Sequence, residues 1–89
     1  MSRIVVYSKE GCPFCSLLKN ELRKRSLTYE EVDLSDDSER QLFYERVGVR
    51  TVPQLYLADE NHTLEEPTGT RIGGWTEVSR DWKALEIGA

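Results

Sequence analysis

Cys12 and Cys15 are the only two thiols of this 89-residue chain, and they stand three positions apart. On the first turn of a helix that spacing places both thiols on one side, close enough to form a disulfide. A thiolate at a helix N-terminus meets unpaired N–H groups and the positive end of the helix dipole, and both lower its pKa. Lys9 adds positive charge nearby. We therefore expect Cys12 to be the more exposed, reactive thiol and Cys15 to resolve it from one turn inside.

A structural disulfide and half of a zinc site are the other uses of such a pair. A disulfide across so short a loop constrains the unfolded chain little, so it would stabilise the fold only weakly. The chain has no second C-x-x-C, and His62 is its only histidine, so one chain lacks the ligands for zinc. A site shared across a dimer stays open. The apolar strand predicted before the pair and the helix predicted after it favour redox chemistry.

The composition indicates a single domain over residues 1–89. Apolar residues make up 38% and charged residues 31% of the chain, and no apolar run is long enough to span a bilayer. The formal net charge of −4 argues against nucleic-acid binding, which relies on clustered Lys and Arg. The first residues enter a strand without the features of a secretory signal, so we expect a cytoplasmic protein. In that reducing compartment a lone C-x-x-C is more plausible as a catalytic couple than as a permanent crosslink.

Hydrophobic spacing predicts the element order β-α-β-α-β-β-α. Strands are expected over residues 3–7, 29–34, 54–57 and 70–72, where β-branched or aromatic residues cluster or alternate with polar ones. The first helix is expected over residues 13–25 and ends at Ser26, with Pro13 in its first turn. The β-α-β unit at the start predicts a parallel, right-handed crossover.

The second and third helices are predicted from caps and apolar spacing. Asp36 followed by Glu39 resembles a capping box at the start of the second helix, and Gly48 closes it. Its expected buried stripe consists of Leu42, Phe43 and Val47. Gly73-Gly74 turns into a last helix, whose core-facing residues are expected to be Val78, Trp82 and Leu85.

The segment from Ala58 to Gly69 is polar and too long for a tight hairpin, so it predicts a mobile surface loop. Within it, His62 has no partner motif, and we expect an exposed, titrating side chain. Polar composition and the small entropic cost of long loops further predict that the segment is dispensable for folding.

Three separated motifs in this order resemble the glutaredoxins of the thioredoxin superfamily. They are residues 9–15 (K-E-G-C-P-F-C), residues 51–53 (T-V-P) and residues 71–74 (R-I-G-G), and the resemblance spans almost the whole chain. It implies an α/β, thioredoxin-like fold in which three helices flank a four-stranded mixed sheet.

The resemblance also implies a glutathione site. The T-V-P motif, Thr51, Val52 and a cis Pro53, is expected to face the cysteines, with the backbone of Val52 pairing with the cysteine of glutathione. Lys9 and Arg40 are expected to hold the glycine carboxylate of glutathione. The remaining expected contacts are the aromatic face of Phe14 and, at the γ-glutamyl end, Gly74, Trp75 and Thr76.

Three departures from the family pattern accompany this resemblance. Trp75, Thr76 and Glu77 stand where the family often has a small residue followed by Ser or Asp and then Asp, so the γ-glutamyl contacts are expected to come from the backbone. Phe14 replaces the commoner Tyr. The loop from Ala58 to Gly69 is longer than the usual hairpin of the family and is expected to lie away from the cysteines.

The activity implied is that of a monomeric dithiol glutaredoxin with glutathione as co-substrate, no tightly bound cofactor and no metal. Cys12 would attack a protein disulfide or a glutathionylated cysteine, and Cys15 or glutathione would resolve the mixed disulfide. Its partners would be disulfide-bearing or glutathionylated proteins, with ribonucleotide reductase among them, in electron transfer for cell redox homeostasis. Two alternatives remain: an electron donor reduced by a flavoprotein thioredoxin reductase, and a carrier of a glutathione-ligated iron–sulfur cluster.

Overall fold

The fold is taken from a computed structural model, which describes residues 3–88. The single-domain and N-terminal expectations also include Met1, Ser2 and Ala89, which lie outside the described residues. Four strands form one sheet in the order β2-β1-β3-β4. β1 is parallel to β2, and the β1–β3 and β3–β4 pairs are antiparallel, so the predicted mixed sheet is confirmed. The elements along the chain are β1 (Arg3–Ser8), α1 (Pro13–Lys24), β2 (Tyr29–Asp33), α2 (Asp37–Val47), β3 (Gln54–Ala58), β4 (Gly69–Gly73), α3 (Trp75–Arg80) and α4 (Trp82–Gly88).

Strand β1 lies inside the sheet and contributes side chains to a core on each face. Ile4 and Val6 pack with α1, and Val5 and Tyr7 pack on the opposite face with α2. This alternation follows from the two-residue period of a strand. Because helices cover both faces, β1 is buried from Ile4 to Ser8. The two cores hold β1 from both faces, and three residues after its C-terminal end connect it to Cys12.

Helix α2 confirms its predicted caps but not its whole predicted stripe. The Asp36 carboxylate accepts the Glu39 N–H at 3.0 Å, and Gly48 closes the helix in the left-handed region with φ 78°. Phe43 is buried, yet Leu42 is 50% exposed, so the expectation that Leu42 belongs to the core is wrong. Leu42 instead lines an open cavity of about 450 Å³ beside Leu64 of the β3–β4 loop, because only a narrow stripe of α2 meets the sheet.

The predicted last helix is two short helices, because the chain leaves the helical conformation at Asp81. The Asp81 backbone adopts φ −142° and ψ 56°. Aspartate is a poor residue for a helix interior, since its short side chain competes for backbone hydrogen bonds. After the break, Trp82 packs edge-on against Trp75 with ring centroids 6.3 Å apart, and Leu85 is buried in the core.

The β3–β4 loop is tied to the core, in contrast to the sequence expectation. His62 is 6% exposed, so the prediction of an exposed histidine is wrong. Its Nε2 lies 2.9 Å from the Tyr7 hydroxyl, and its Nδ1 lies 2.8 Å from the carbonyl oxygen and 3.0 Å from the N–H nitrogen of Thr68. From α2, Arg46 donates to the carbonyl of Glu65 at 2.7 Å. Burying the imidazole is tolerated because both ring nitrogens have partners.

Among residues 3–88, no helix combines the length and the apolar composition that a bilayer span requires.

Candidate functional site

Cys12 and Cys15 meet at the N-terminus of α1. Cys12 is the residue that caps the helix, Pro13 opens its first turn, and the two sulfurs are paired across a Cα–Cα distance of 5.2 Å. The Cys15 N–H lies 3.2 Å from the Cys12 sulfur. Cys12 is 9% exposed and Cys15 is 1% exposed. Cys12 is therefore the more exposed of the two, as expected, although it is itself buried.

The T-V-P turn lies against the cysteine pair. The Val52–Pro53 peptide bond is cis, as expected, and the Val52 carbonyl oxygen lies 3.6 Å from the Cys12 sulfur. Pro53 immediately precedes β3, which pairs with β1, so the sheet brings this turn to the end of β1 from which the cysteine segment leaves. The site is thus assembled from the ends of two neighbouring strands.

Gln54 holds the same turn in place, although the sequence predicts it only as a residue of the third strand. Its side chain is 3% exposed, and its amide nitrogen lies 3.0 Å from the Thr51 carbonyl oxygen and 3.3 Å from the Thr51 hydroxyl. Arg71 of β4 donates to the Gln54 amide oxygen at 3.2 Å. The signal available in the sequence was a polar amide directly after Pro53, at the start of a predicted apolar strand, since an amide that becomes buried needs partners.

A groove of about 250 Å³ lies beside the turn. Seven of its lining residues are among those expected from the sequence: Phe14, Thr51, Val52, Pro53, Gly74, Trp75 and Thr76. Glu77 is the eighth and the only charged one. The structure therefore brings together the three motif regions, which are far apart in the chain.

Glu77 engages the glycine pair at the end of this groove. Its carboxylate accepts the Gly74 N–H at 2.8 Å, across the first turn of α3. Glutamate three residues after an N-cap is the spacing of a capping box, and this was the signal in the sequence. As a result, the Gly74 N–H, expected to meet the γ-glutamyl end of glutathione, already has a carboxylate partner.

The two expected cationic ligands lie outside the lining of the groove. Lys9 borders a separate cavity of about 180 Å³ together with Lys19 and Glu31. Arg40 donates to the carbonyls of Leu34 at 3.0 Å and Ser35 at 3.3 Å. Its guanidinium also pairs with the Asp37 carboxylate at 2.5 Å, and this hydrogen bond raises the pKa of Arg40 above its ordinary value.

A hydrogen-bonded network links β2 to α1 and to the end of β1. The Glu31 carboxylate accepts the Lys19 ammonium at 2.8 Å and the Ser8 hydroxyl at 2.6 Å. These two hydrogen bonds, led by Lys19, lower the pKa of Glu31. Since Ser8 is the last residue of β1, the network fixes the strand end from which the cysteine segment departs.

Phe14 and Leu17 give the site an apolar border. They are 56% and 47% exposed, and they stand three residues apart on α1. That spacing places them on one helix face. Phe14 reaches the groove, so the exposed apolar surface is continuous with it.

The glutaredoxin family model matches residues 4–62, which hold both cysteines and the T-V-P turn. A Bacillus subtilis N-acetyl-S-hydroxy-L-cysteine reductase is 34% identical over 59 residues, covering 65% of this chain and 63% of that protein. Glutaredoxin 3 of Escherichia coli K12 is 30% identical over 63 residues, covering 70% of this chain and 75% of that protein. The chain thus spans less than two thirds of the length of the first of these relatives.

The fold is also similar to that of solved glutaredoxin structures. A crystal structure of a buckwheat glutaredoxin–glutathione complex superposes with a TM-score of 0.73 at 23% identity, covering 98% of this chain and 79% of that one. The family model covers well over half of the chain and includes the cysteine pair. This chain belongs to the glutaredoxin family.

Proposed function

We propose that this protein is a glutathione-dependent thiol–disulfide oxidoreductase acting on protein disulfides and glutathionylated cysteines. The observation that carries the proposal is the paired Cys12 and Cys15 at the N-terminus of α1, with the Val52 carbonyl 3.6 Å from the Cys12 sulfur. A reactive pair needs access, a stabilised thiolate and a place for the incoming disulfide. The groove beside the T-V-P turn supplies that place.

Cys12 is the proposed nucleophile. Its sulfur lies at the helix end, where the Cys15 N–H points at it from 3.2 Å and where the helix dipole favours negative charge. Cys15 is buried one turn inside, so an incoming disulfide meets Cys12 first. Phe14 and Leu17 offer apolar surface to the chain that carries this disulfide.

Reduction of a glutathionylated protein proceeds by exchange in balanced steps. The Cys12 thiolate attacks the glutathione sulfur, so a Cys12–glutathione disulfide forms and the protein thiolate leaves. A second glutathione thiolate then attacks this mixed disulfide at the glutathione sulfur. Glutathione disulfide leaves, and the Cys12 thiolate is restored. One free glutathione is consumed per turnover: the protein thiol is released, and the glutathionyl group of the substrate leaves as one half of glutathione disulfide.

A protein disulfide uses both cysteines. Cys12 forms a mixed disulfide with one protein sulfur, and Cys15 attacks the Cys12 sulfur and releases the second protein thiolate. The Cys12–Cys15 disulfide that results is the sulfur pairing of the described structure. Two glutathione molecules then reduce the Cys12–Cys15 disulfide, through a mixed disulfide on Cys12.

We propose that glutathione lies in the groove, with its cysteine backbone on Val52 in the manner of an added strand. Trp75 and Phe14 form apolar walls, and Thr51, Pro53, Gly74 and Thr76 complete the lining. Lys9 and Arg40 remain the proposed partners of the glycine carboxylate. We expect the contribution of Arg40 to be modest, because Asp37 already offsets its charge. A cytoplasmic monomer and ribonucleotide reductase as a protein partner also belong to this proposal.

The test is reduction of a glutathionylated peptide by glutathione, glutathione reductase and NADPH. Cys12→Ser is expected to abolish turnover, and the matched variant Cys15→Ser is expected to retain it, since glutathione can resolve the mixed disulfide. The reverse pattern would exchange the two roles. If only flavoprotein thioredoxin reductase supports turnover, the protein is a thioredoxin-type electron donor. If freshly purified protein is coloured and carries iron and sulfide while turnover is absent, it is a cluster carrier.

A further inference from the structure

Residues 9–11 join the end of β1 to Cys12 as a short turn. Gly11 takes φ 71° in this turn, a conformation that favours glycine. Two hydrogen bonds attach the last residue of β1 and this turn to the junction between β2 and α2. The Leu34 N–H donates to the Ser8 carbonyl at 2.7 Å, and the Glu10 N–H donates to the Ser35 hydroxyl at 2.9 Å. The second bond holds the backbone two residues before the proposed nucleophile.

The hydroxyl of Ser35 is oriented for this role by Asp33. It donates its own hydrogen to the Asp33 carboxylate at 2.5 Å, and the Ser35 N–H reaches the same oxygen at 2.9 Å. Because its hydrogen is committed to Asp33, the lone pairs of the hydroxyl are left for the Glu10 N–H. The two bonds from Ser35 lower the pKa of Asp33, so this carboxylate is ionised and accepts at neutral pH.

Arg40 fixes the backbone of the same junction. Its guanidinium donates to the carbonyls of Leu34 and Ser35 and pairs with Asp37, and its side chain is only 14% exposed. A continuous set of hydrogen bonds therefore runs from α2 through Ser35 to the turn that carries Cys12. Ser35 is the one side chain in this set that contacts the turn.

We propose that Ser35 is a positioning residue for Cys12, whose hydroxyl holds the Glu10 backbone and thereby keeps the Cys12 sulfur at the N-terminus of α1. This inference rests on the proposed function, in which Cys12 is the nucleophile. Losing the bond releases the turn, and the sulfur then spends less time beside the Cys15 N–H. A net hydrogen bond of ordinary strength corresponds to a rate change of about three- to tenfold.

The experiment measures alkylation of Cys12 by iodoacetamide at neutral pH in a Cys15→Ser background, where Cys12 is the only thiol. It needs neither glutathione nor a disulfide substrate, so it reads the positioning separately from the proposed turnover. Ser35→Ala is expected to slow alkylation about three- to tenfold, and Ser35→Thr, which keeps a hydroxyl, is expected to restore the parent rate. Thr63→Ala is the matched control, because the Thr63 hydroxyl also accepts a backbone N–H at 2.9 Å, from Glu66, in the β3–β4 loop.

Three results would overturn the proposal: an unchanged or faster rate in Ser35→Ala, a rate in Ser35→Thr as slow as in Ser35→Ala, or equal slowing in Thr63→Ala. If Ser35→Ala does not fold, Asp33→Asn serves instead, because it keeps the hydroxyl but weakens its orientation. Slower alkylation in Asp33→Asn supports the proposal, and an unchanged rate contradicts it. The proposed function can fail separately. If Ser35→Ala slows alkylation as expected but the Cys15→Ser protein shows no turnover in the glutathione reductase assay, the result counts against the proposed function alone.

Discussion

The imidazole of His62 is hydrogen-bonded to the hydroxyl of Tyr7 at 2.9 Å, across 55 positions of sequence, inside the core that α2 covers. Tyr7 in turn stacks on Phe43 with ring centroids 4.4 Å apart. Burial raises the pKa of Tyr7 well above its ordinary value, so the phenol is neutral through the whole working range. The β3–β4 loop is therefore attached to the centre of the sheet through one side chain.

Replacing His62 should destabilise the protein. His62→Ala leaves the buried Tyr7 hydroxyl and the Thr68 backbone without their partner and opens a void, with an expected loss of about 2–4 kcal/mol in the free energy of unfolding. Urea unfolding measures this loss. The neighbouring exposed Asn61→Ala is the matched control and should change stability by less than about 0.5 kcal/mol. Equal stabilities of the two variants would show that the buried histidine contributes nothing.

Shortening the loop separates stability from chemistry. Ala58 is joined to Thr70 through a two-residue Asn-Gly turn, which suits a hairpin between β3 and β4. The sequence alone predicted no cost, but the shortened protein lacks His62 and should melt at a clearly lower temperature. Turnover of a glutathionylated peptide below that temperature should persist, because the loop and the cysteines lie at opposite ends of the sheet. The loop leaves β3 at Ala58, which pairs with Arg3 at the start of β1, whereas the cysteine segment follows the other end of β1, where Tyr7 pairs with Gln54. Lost turnover in folded protein would show that the loop influences the cysteine site.

The acid sensitivity of the fold should include a contribution from Glu31. The folded-state pKa of Glu31 lies below its ordinary value of 4.5, so its stabilisation is present above that pH and is lost as pH falls through the folded pKa. Glu31→Gln should therefore lower stability at neutral pH, by about 0.5–1 kcal/mol for a partly exposed pair, and flatten its decline in acid. Urea midpoints against pH measure both effects. Glu30→Gln, which removes an exposed pair with Arg3, is the control and should lower stability at neutral pH by less than Glu31→Gln.

Local patterns were sufficient to predict the order of elements along the chain and the cysteine pair at a helix start, while the groove lining was predicted only through the resemblance to the glutaredoxins. They carry this information because caps, prolines and glycines act on neighbouring residues. The failures depend on distant contacts. His62 is buried because its loop folds back on Tyr7. Leu42 is exposed because the face of α2 that meets the core carries Phe43, with Tyr44 and Val47 partly buried beside it. No feature within a few residues of either side chain reports these contacts.

The position of Lys9 and Arg40 outside the groove leads to a test of the carboxylate contact. If both bind the glycine carboxylate of glutathione, the Lys9→Ala, Arg40→Ala double variant should raise the KM for glutathione about three- to tenfold, a larger change than that in kcat. Asp37→Asn is the informative partner variant, because it removes the charge that offsets Arg40 and should lower that KM. An unchanged KM in both variants would assign Arg40 to the β2–α2 junction alone.

Gln54 should control glutathione binding without touching the cysteines. Gln54→Leu keeps a similar volume but leaves the Thr51 carbonyl without its donor, so the T-V-P turn loses the brace that aims Val52 at the ligand. We expect the KM for glutathione to rise about three- to tenfold, the size of one lost hydrogen bond, while alkylation of Cys12 stays at the parent rate. Arg71→Ala, which removes only the outer partner of the Gln54 amide, should have a smaller effect in the same direction. Steady-state kinetics and alkylation rates distinguish the cases. Slower alkylation in Gln54→Leu would mean that the turn also positions the nucleophile. An unchanged KM for glutathione would mean that Thr51 and Val52 hold their conformation without the Gln54 amide.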